Sequence, residues 1–314
     1  MALTARKLDN QLAGPVLKWA GGKTQLLDRI IPRLGDRIRT YYEPFIGGGA
    51  VFFALANQGR FRDAVISDKN PALVELYTVL RDEVEALIEG LAEHGEHATD
   101  QEYFYDVRAW DTAALSPVER AARTVFLNKT CFNGLYRLNR KGEFNVPFGR
   151  YKNPRVLNAP LLRASSQALQ GVTILDADFQ HVAIHARRGD AVYFDPPYVP
   201  ISATSSFASY AKEPFGPKDQ ERLVQVFETV WRRGATAVMS NSDCDYTRAL
   251  YAGLEVETVH ATRAINSVAS KRGRITEVLC VGMKRADLRL AEPADSALPA
   301  ARARLSVVPR ASVG

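Results

Sequence analysis

The tetrapeptide Asp195-Pro196-Pro197-Tyr198 constrains this chain more than any other four residues. It follows Ala191-Val192-Tyr193-Phe194, an apolar run that predicts a buried strand. Two prolines neither extend a ladder nor enter a helix, so the strand must stop at Asp195 and open into a stiff loop. The loop then presents a carboxylate, the Pro196 carbonyl and the aromatic face of Tyr198 at the end of a sheet strand. In open α/β sheets, ligands bind at that end. Two acceptors beside a stacking ring suit a planar substrate with an exocyclic amino group, such as adenine. Alone, the tetrapeptide also fits a plain strand end with a proline turn.

Two further segments point the same way. Tyr41-Tyr42-Glu43-Pro44-Phe45-Ile46 runs into Gly47-Gly48-Gly49-Ala50, which reads as a strand, a glycine turn and a helix starting near Val51. The turn lets backbone approach a ligand closely. Phe52 stands where a dinucleotide fingerprint has its third glycine, which disfavours a pyrophosphate ligand. Ala64-Val65-Ile66-Ser67-Asp68 is a second apolar run, ending in an acid about 20 residues past the glycines, the offset of a ribose-binding carboxylate. Together these favour an adenosine-type cofactor. Near the start, Gly22-Lys23-Thr24 imitates a phosphate loop, but Leu17 occupies the place of its first glycine and no strand precedes it. Trp19 and Lys23, four apart, are expected to share one face of a helical turn.

These motifs resemble, in order and over roughly residues 15 to 285, the Dam-type DNA adenine-N6 methyltransferases. The resemblance rests on Leu17-Lys18-Trp19-Ala20-Gly21-Gly22-Lys23, Glu43-Pro44-Phe45 with its glycines, Asp68, Asn133-Gly134-Leu135, the run from Gly142 to Tyr151, and Asp195-Pro196-Pro197-Tyr198. It implies an α/β, Rossmann-like fold that binds S-adenosylmethionine. The implied cofactor residues are Trp19, Lys23, Asp68 and Asp195, with Glu43, Phe45, Gly47 and Gly49 of the turn beneath it. Asp178, in Leu175-Asp176-Ala177-Asp178-Phe179, is a looser match to the partner of the cofactor adenine, and reads equally as a solvated acid. The catalytic set is Asp195, Pro196, Pro197 and Tyr198.

Charge placement supports DNA as the substrate. The net charge of the 314 residues is +6. Between residues 129 and 155 lie Lys129, Arg137, Arg140, Lys141, Arg150, Lys152 and Arg155, opposed by Glu143 alone. Phe132, Tyr136, Phe144, Phe148 and Tyr151 are interleaved, and Gly134, Gly142, Pro147 and Gly149 punctuate the stretch into an expected β-hairpin. Cations neutralise phosphates, while aromatic rings and arginine forks read or replace bases.

Helices are expected near 22–34, 50–58, 71–89, 100–113, 117–129, 158–169, 217–232 and 245–252. Strands are expected near 41–45, 64–68, 172–177, 191–195, 235–241, 254–260 and 275–284. Residues 15–71 and 164–285 then form the catalytic domain, interrupted by a mostly helical target-recognition domain at 72–163 that carries the hairpin. Residues 286–314 read as a disordered tail. A mobile lid is expected at 202–210 and a phosphate-contacting or merely solvated turn at Ser270–Arg274. No apolar run reaches the ~18 residues of a membrane span. The N-terminus has no apolar signal core, so a cytoplasmic, monomeric enzyme without an obligate protein partner is expected. Cys131, Cys244 and Cys280 lack metal spacing, and His94 and His97 fall in a polar, loop-like stretch, so no metal is expected.

By the resemblance, an adenine is flipped from duplex DNA. Asp195 and Pro196 accept its amino hydrogens, and Tyr198 stacks on its ring. The ring rather than the hydroxyl carries the stacking, so Tyr198→Phe is expected to keep most activity. The implied target is GATC. Lys18 matches the position that meets its guanine, Leu135, Arg137 and Pro147 those that read its second half, and Tyr151 one beside the target adenine. Phe132 matches the ring that fills the gap left by the flipped base. Asn133, Arg150 and Lys152 complete the expected DNA-binding set. A methylase of different specificity in a restriction-modification pair, or a non-catalytic DNA-binding relative, are the alternatives. The second would be expected to lack Asp195 or the glycine turn, and both are intact.

Overall fold

Alternating apolar strands and helices build a parallel sheet with helices on both faces. In a computed structural model, which describes residues 11–199, 215–262 and 274–283, seven strands form one mixed, largely parallel sheet. They are β1 (Ile38–Glu43), β2 (Phe61–Asp68), β3 (Thr173–Asp176), β4 (Ala191–Phe194), β5 (Thr236–Ser242), β6 (Leu254–Thr262) and β7 (Arg274–Met283). Their spatial order is β3-β2-β1-β4-β5-β7-β6. β1 pairs in parallel with β2 and β4, β2 with β3, and β4 with β5. β7 runs antiparallel between β5 and β6. The expected α/β sheet is thus present. The expected lid at 202–210, the basic turn ahead of Arg274 and the tail at 286–314 lie outside the described residues.

The strand order reverses between β1 and β4. At such a switch point the connections leave in opposite directions and open a crevice at the carboxyl ends. Glu43 ends β1 there, and Asp195 follows β4. All four β4 residues are buried. Their side chains alternate between two cores, as a strand covered on both faces requires. Tyr193 packs with Ile30, Val51 and Val238 on one side, while Val192 and Phe194 pack with Leu223, Phe227 and Val230 of the helix Pro217–Arg232 on the other.

Several expected boundaries shift for local reasons. β1 begins at Ile38 and ends at Glu43, because Pro44 has no N–H to continue the ladder. The helix expected over 71–89 is two, Pro71–Asp82 and Val84–Glu96, broken where Glu83 leaves helical geometry at φ −133°. His94 is therefore helical and buried rather than in a loop. It stacks on Phe126 and bonds Tyr103 through Nδ1 (2.9 Å). Burial pushes its pKa down to about 4. Among the described residues no cluster could hold a metal ion, and no helix is long and apolar enough to cross a membrane.

The basic stretch is not a regular hairpin. Two isolated bridges, Cys131↔Phe148 and Leu138↔Phe144, hold it, with a short 3₁₀ turn at Phe132–Gly134. Asn133 and Arg150 both adopt positive φ, at 56° and 52°. The helix Pro117–Thr130, started by a Ser116/Glu119 capping box, anchors this stretch. Its buried Asn128 accepts from the Lys18 amide (2.8 Å) and donates to the carbonyls of Lys18 (2.8 Å) and Gly134 (3.0 Å). Gly134 has no room for a side chain, since a Cβ would lie 2.5 Å from Cδ of Lys18. One amide thus joins the N-terminal ribbon to the basic stretch.

Asn128→Ala is expected to destabilise the fold by about 1–3 kcal/mol for each buried group left without a partner. A fall in the urea midpoint at unchanged m-value checks it.

Candidate active site

Asp195 stands where β4 must stop, its side chain 21% exposed. Lys23, 4% exposed, reaches its Oδ1 at 2.7 Å. Ser240 on β5 donates to the same oxygen at 3.0 Å. Among the described residues, Oδ2 takes no hydrogen bond. The carboxylate is therefore pinned through one oxygen and offers the other. Burial raises its pKa above the ordinary value, and the Lys23 ammonium opposes that rise. Lys23 also donates to the Gly21 carbonyl and lies 4.6 Å from the centre of the Tyr198 ring.

The loop after Asp195 is tied down from the strand and helix beside it. Asn241 Oδ1 accepts from the Val199 amide (3.1 Å), and Ser242 Oγ donates to the Val199 carbonyl (2.7 Å). Gln220 Nε2 donates to the Pro197 carbonyl (3.0 Å), and Asn241 Nδ2 in turn donates to Gln220 Oε1 (3.0 Å). Asn241 and Gln220 are fully buried. The Tyr198 hydroxyl donates to Glu277 Oε2 on β7 at 2.6 Å. Ser240, Asn241, Ser242, Gln220 and Glu277 were missed in the sequence. A signal existed: the β5 run turns polar at Ser240-Asn241-Ser242, at the carboxyl end, where a core strand has no need of hydroxyls and amides.

The glycine turn forms the adjoining half. Gly47 and Gly49 take φ of 46° and 72°, conformations that favour glycine. A Cβ on Gly47 would lie 2.7 Å from Cδ1 of Trp19, so the indole rests directly on the turn. The Gly47 amide donates to Asp68 Oδ2 (3.2 Å), the Asn70 amide to Asp68 Oδ1 (2.9 Å), and Tyr77 OH to the Gly47 carbonyl (2.9 Å). Burial holds Asp68 up at about 6, against those amide bonds. Glu43 accepts from Tyr41 OH (2.7 Å) and is pushed by burial to about 8. Phe45 stacks on Phe179 at 5.4 Å.

Trp19 and Lys23 do not share a helical face, because helix begins only at Lys23 and Trp19 precedes it in a turn closed by Gly22 N–H to the Trp19 carbonyl (3.1 Å). Trp19 faces the glycine turn and Tyr136 (5.3 Å), whereas Lys23 faces Asp195. Asp178 follows β3 and is ion-paired with Lys69 (2.8 Å) and Arg222 (3.0 Å). Burial alone would raise its pKa, but Lys69, the Gln180 amide and Arg222 hold it below the ordinary value. Glu43, Asp68 and Asp195 thus converge at neighbouring strand ends, beside aromatic rings and a close-approach turn. Asp68 and Asp195, as acceptors beside those rings, fit an adenosine bearing a positive charge.

The ribbon Lys18–Lys23 links this crevice to the basic stretch. Lys18 Nζ sits 4.7 Å from the Tyr151 ring centre. Lys18, Phe132, Arg137, Pro147, Arg150 and Lys152 are exposed, and Asn133, Leu135 and Tyr151 half-buried. Arg137 is presented by bonds to Asn145 Oδ1 (2.7 Å) and the Asn145 carbonyl (3.2 Å). A cavity of about 270 Å³ opens beside them, lined by Lys18, Lys129, Tyr151 and Arg155. The surface can neutralise an anionic polymer and meet its bases with rings and donors.

Glu43 gives a pH test. Its pKa of about 8 in the fold exceeds its ordinary 4.5, so folding favours the protonated form. Its contribution to stability is complete below the ordinary value and is lost as pH rises through about 8. Glu43→Gln is therefore expected to gain Tm relative to wild type between about pH 5 and 9. Parallel melting curves over that range would show Glu43 ionised in the fold.

Comparison with known proteins gives the family. The pattern of the D12 class N6 adenine-specific DNA methyltransferases covers residues 19–265. A type II methyltransferase of Lactococcus lactis, M1.LlaDCHI, is 41% identical over 84% of this chain and 94% of its own length. M.MjaIII of Methanocaldococcus jannaschii is 42% identical over 82% and 94%. The DNA adenine methylase of Haemophilus influenzae is 33% identical over 85% and 93%. The chain belongs to the D12 class of N6 adenine-specific DNA methyltransferases.

Proposed function

We propose that this enzyme methylates N6 of an adenine flipped out of duplex DNA, using S-adenosylmethionine, at the loop Asp195–Tyr198. The observation that carries the reading is the Asp195 carboxylate, held at Oδ1 by Lys23 and Ser240, with no hydrogen bond to Oδ2 among the described residues. An amino group enters as a donor to Oδ2 and to the Pro196 carbonyl, while Tyr198 stacks on the purine. These contacts favour a nitrogen on its way to tetrahedral, with its lone pair aimed at the methyl. S-adenosylmethionine supplies an activated methyl group on a sulfonium. Trp19, Lys23, Glu43, Phe45, Gly47, Gly49, Asp68 and Asp178 are the residues proposed to hold it. Asp195 acts as an oriented acceptor, because the amino group becomes acidic only as its new bond forms. The protein's part is positioning and electrostatics.

Residues 72–163 serve as the recognition domain in this reading. The proposed target is GATC, with Lys18 at the guanine, Leu135 and Pro147 at the thymine methyl, and Arg137 at guanine acceptors. Phe132, 43% exposed, fills the vacated stack. Asn133, Arg150, Tyr151 and Lys152 complete the contacts. A role as the partner of a restriction nuclease is a second reading. It is favoured by the two type II methyltransferases at 41% and 42% identity, against 33% for the Haemophilus methylase.

Asp195→Ala is expected to lower turnover at least ~100-fold, the scale for one preorganised hydrogen-bonding group. DNA affinity should change far less. Methylation of defined duplexes with labelled cofactor measures both, and near-normal turnover would sink the mechanism.

Plasmid from a methylation-deficient host expressing this chain should resist nucleases blocked by GATC methylation. Arg137→Ala should lose ~1–3 kcal/mol at one base pair and relax specificity there. N6-methyladenine at other sites, with GATC still cut, would reject the sequence while sparing the enzyme class.

A further inference from the structure

We propose that Glu277 is a positioning residue whose buried carboxylate, by accepting from the Tyr198 hydroxyl, fixes the plane of the ring on which the target base stacks. The inference rests on the stacking role proposed above for Tyr198. Glu277 is 9% exposed and lies on β7 directly opposite Ser242 of β5. That placement carries it beside the loop after β4. At 2.6 Å, the bond from Tyr198 OH to Oε2 has the length of a charge-assisted one.

A tyrosine ring has two soft side-chain torsions, and backbone anchoring alone leaves both free. Here the backbone on either side is fixed by Gln220 on the Pro197 carbonyl and Asn241 on the Val199 amide. The far end of the ring is fixed by Glu277, and Lys23 lies over the face. A ring held at both ends need not be ordered when a base arrives, so the entropy cost of stacking is met in folding. Burial, with Asp195 and Glu277 nearby, raises the Tyr198 pKa well above ordinary, so the hydroxyl keeps its proton and remains a donor.

The sequence gives a different expectation, in which Tyr198→Phe keeps most activity because the ring survives. In the structure that substitution removes the donor and leaves a buried carboxylate without it, an arrangement that folded proteins avoid. Tyr198→Phe and Glu277→Ala should then have the same defect. Each is expected to lower kcat on the order of ten- to a hundredfold, the scale of a modest misplacement, with KM for the methyl donor unchanged. The double variant should be no worse than either single one, and Glu277→Gln, which retains an acceptor, should be intermediate.

The deciding experiment places 2-aminopurine at the target position and follows its emission with wild type, Tyr198→Phe, Glu277→Ala, Glu277→Gln and the double variant. The wild type should brighten the probe as it leaves the DNA stack. Glu277→Ala and Tyr198→Phe should brighten it further, because the extruded base is less well stacked on the ring, at unchanged DNA affinity. If Glu277→Ala does not fold, the comparison of Tyr198→Phe with Tyr198→Phe/Glu277→Gln replaces it. Equal emission and equal kcat in that pair support the inference. Additive losses in either double variant, or wild-type kcat and emission in the Glu277 variants, overturn it. A wild-type enzyme that methylates without brightening the probe overturns the stacking reading itself, and the inference with it.

Discussion

A carboxylate at the mouth of the sheet has to be drawn out of water and kept fit to accept hydrogen bonds, and the site is arranged around that requirement. Burial disfavours the charge on Asp195, while the Lys23 ammonium at 2.7 Å and the Ser240 hydroxyl at 3.0 Å favour it. Neither partner can be supplied locally. Lys23 comes from the start of the chain, Ser240 from β5, and Asp195 itself from the end of β4. Only the parallel pairing of β4 with β5, and the packing of the first helical turn above them, bring the three together. The seven-stranded order is thus the scaffold on which one half-buried charge is balanced.

The second arrangement is a set of short polar ties that fix a proline loop from outside. Pro196 and Pro197 have no amide hydrogen to give, so the loop cannot secure itself by backbone ladders. Asn241, Gln220 and Ser242 hold it instead, all of them buried. Such a network is costly if left partly satisfied and rigid when complete. That rigidity suits a site whose work is alignment.

Much of this was legible in the sequence because it is carried by local pattern. Apolar runs marked the strands, the prolines marked where β4 must end, and the offset from Gly47 to Asp68 placed an acid opposite the turn, where the Gly47 amide reaches it at 3.2 Å. The parts that could not be read depend on tertiary partners. Trp19 and Lys23 at helical spacing suggested a shared face, yet the chain is a turn at Trp19, and the two side chains serve different halves of the crevice. Glu83 breaks a helix that apolar periodicity alone would continue. His94 reads as a loop residue until Phe126, distant in sequence, stacks on it. Glu277 looks like an ordinary acid in a late strand until the Tyr198 hydroxyl is found against it.

The ribbon from Lys18 to Lys23 has a consequence for anyone who would exchange parts between such enzymes. Within six residues it contributes a cation beside Tyr151, an indole over Gly47 and an ammonium at Asp195, and Asn128 clamps its backbone to Gly134. The basic surface is therefore not a separable cassette. A chimera that imported residues 72–163 from a relative would bring a new Asn128 and Gly134 against the old ribbon. The graft needs its own Lys18 segment, which in turn carries Trp19 and Lys23 into the crevice at Gly47 and Asp195. In this architecture the amino-terminal strip belongs to both halves, and the basic surface is inherited together with the contacts at Gly47 and Asp195.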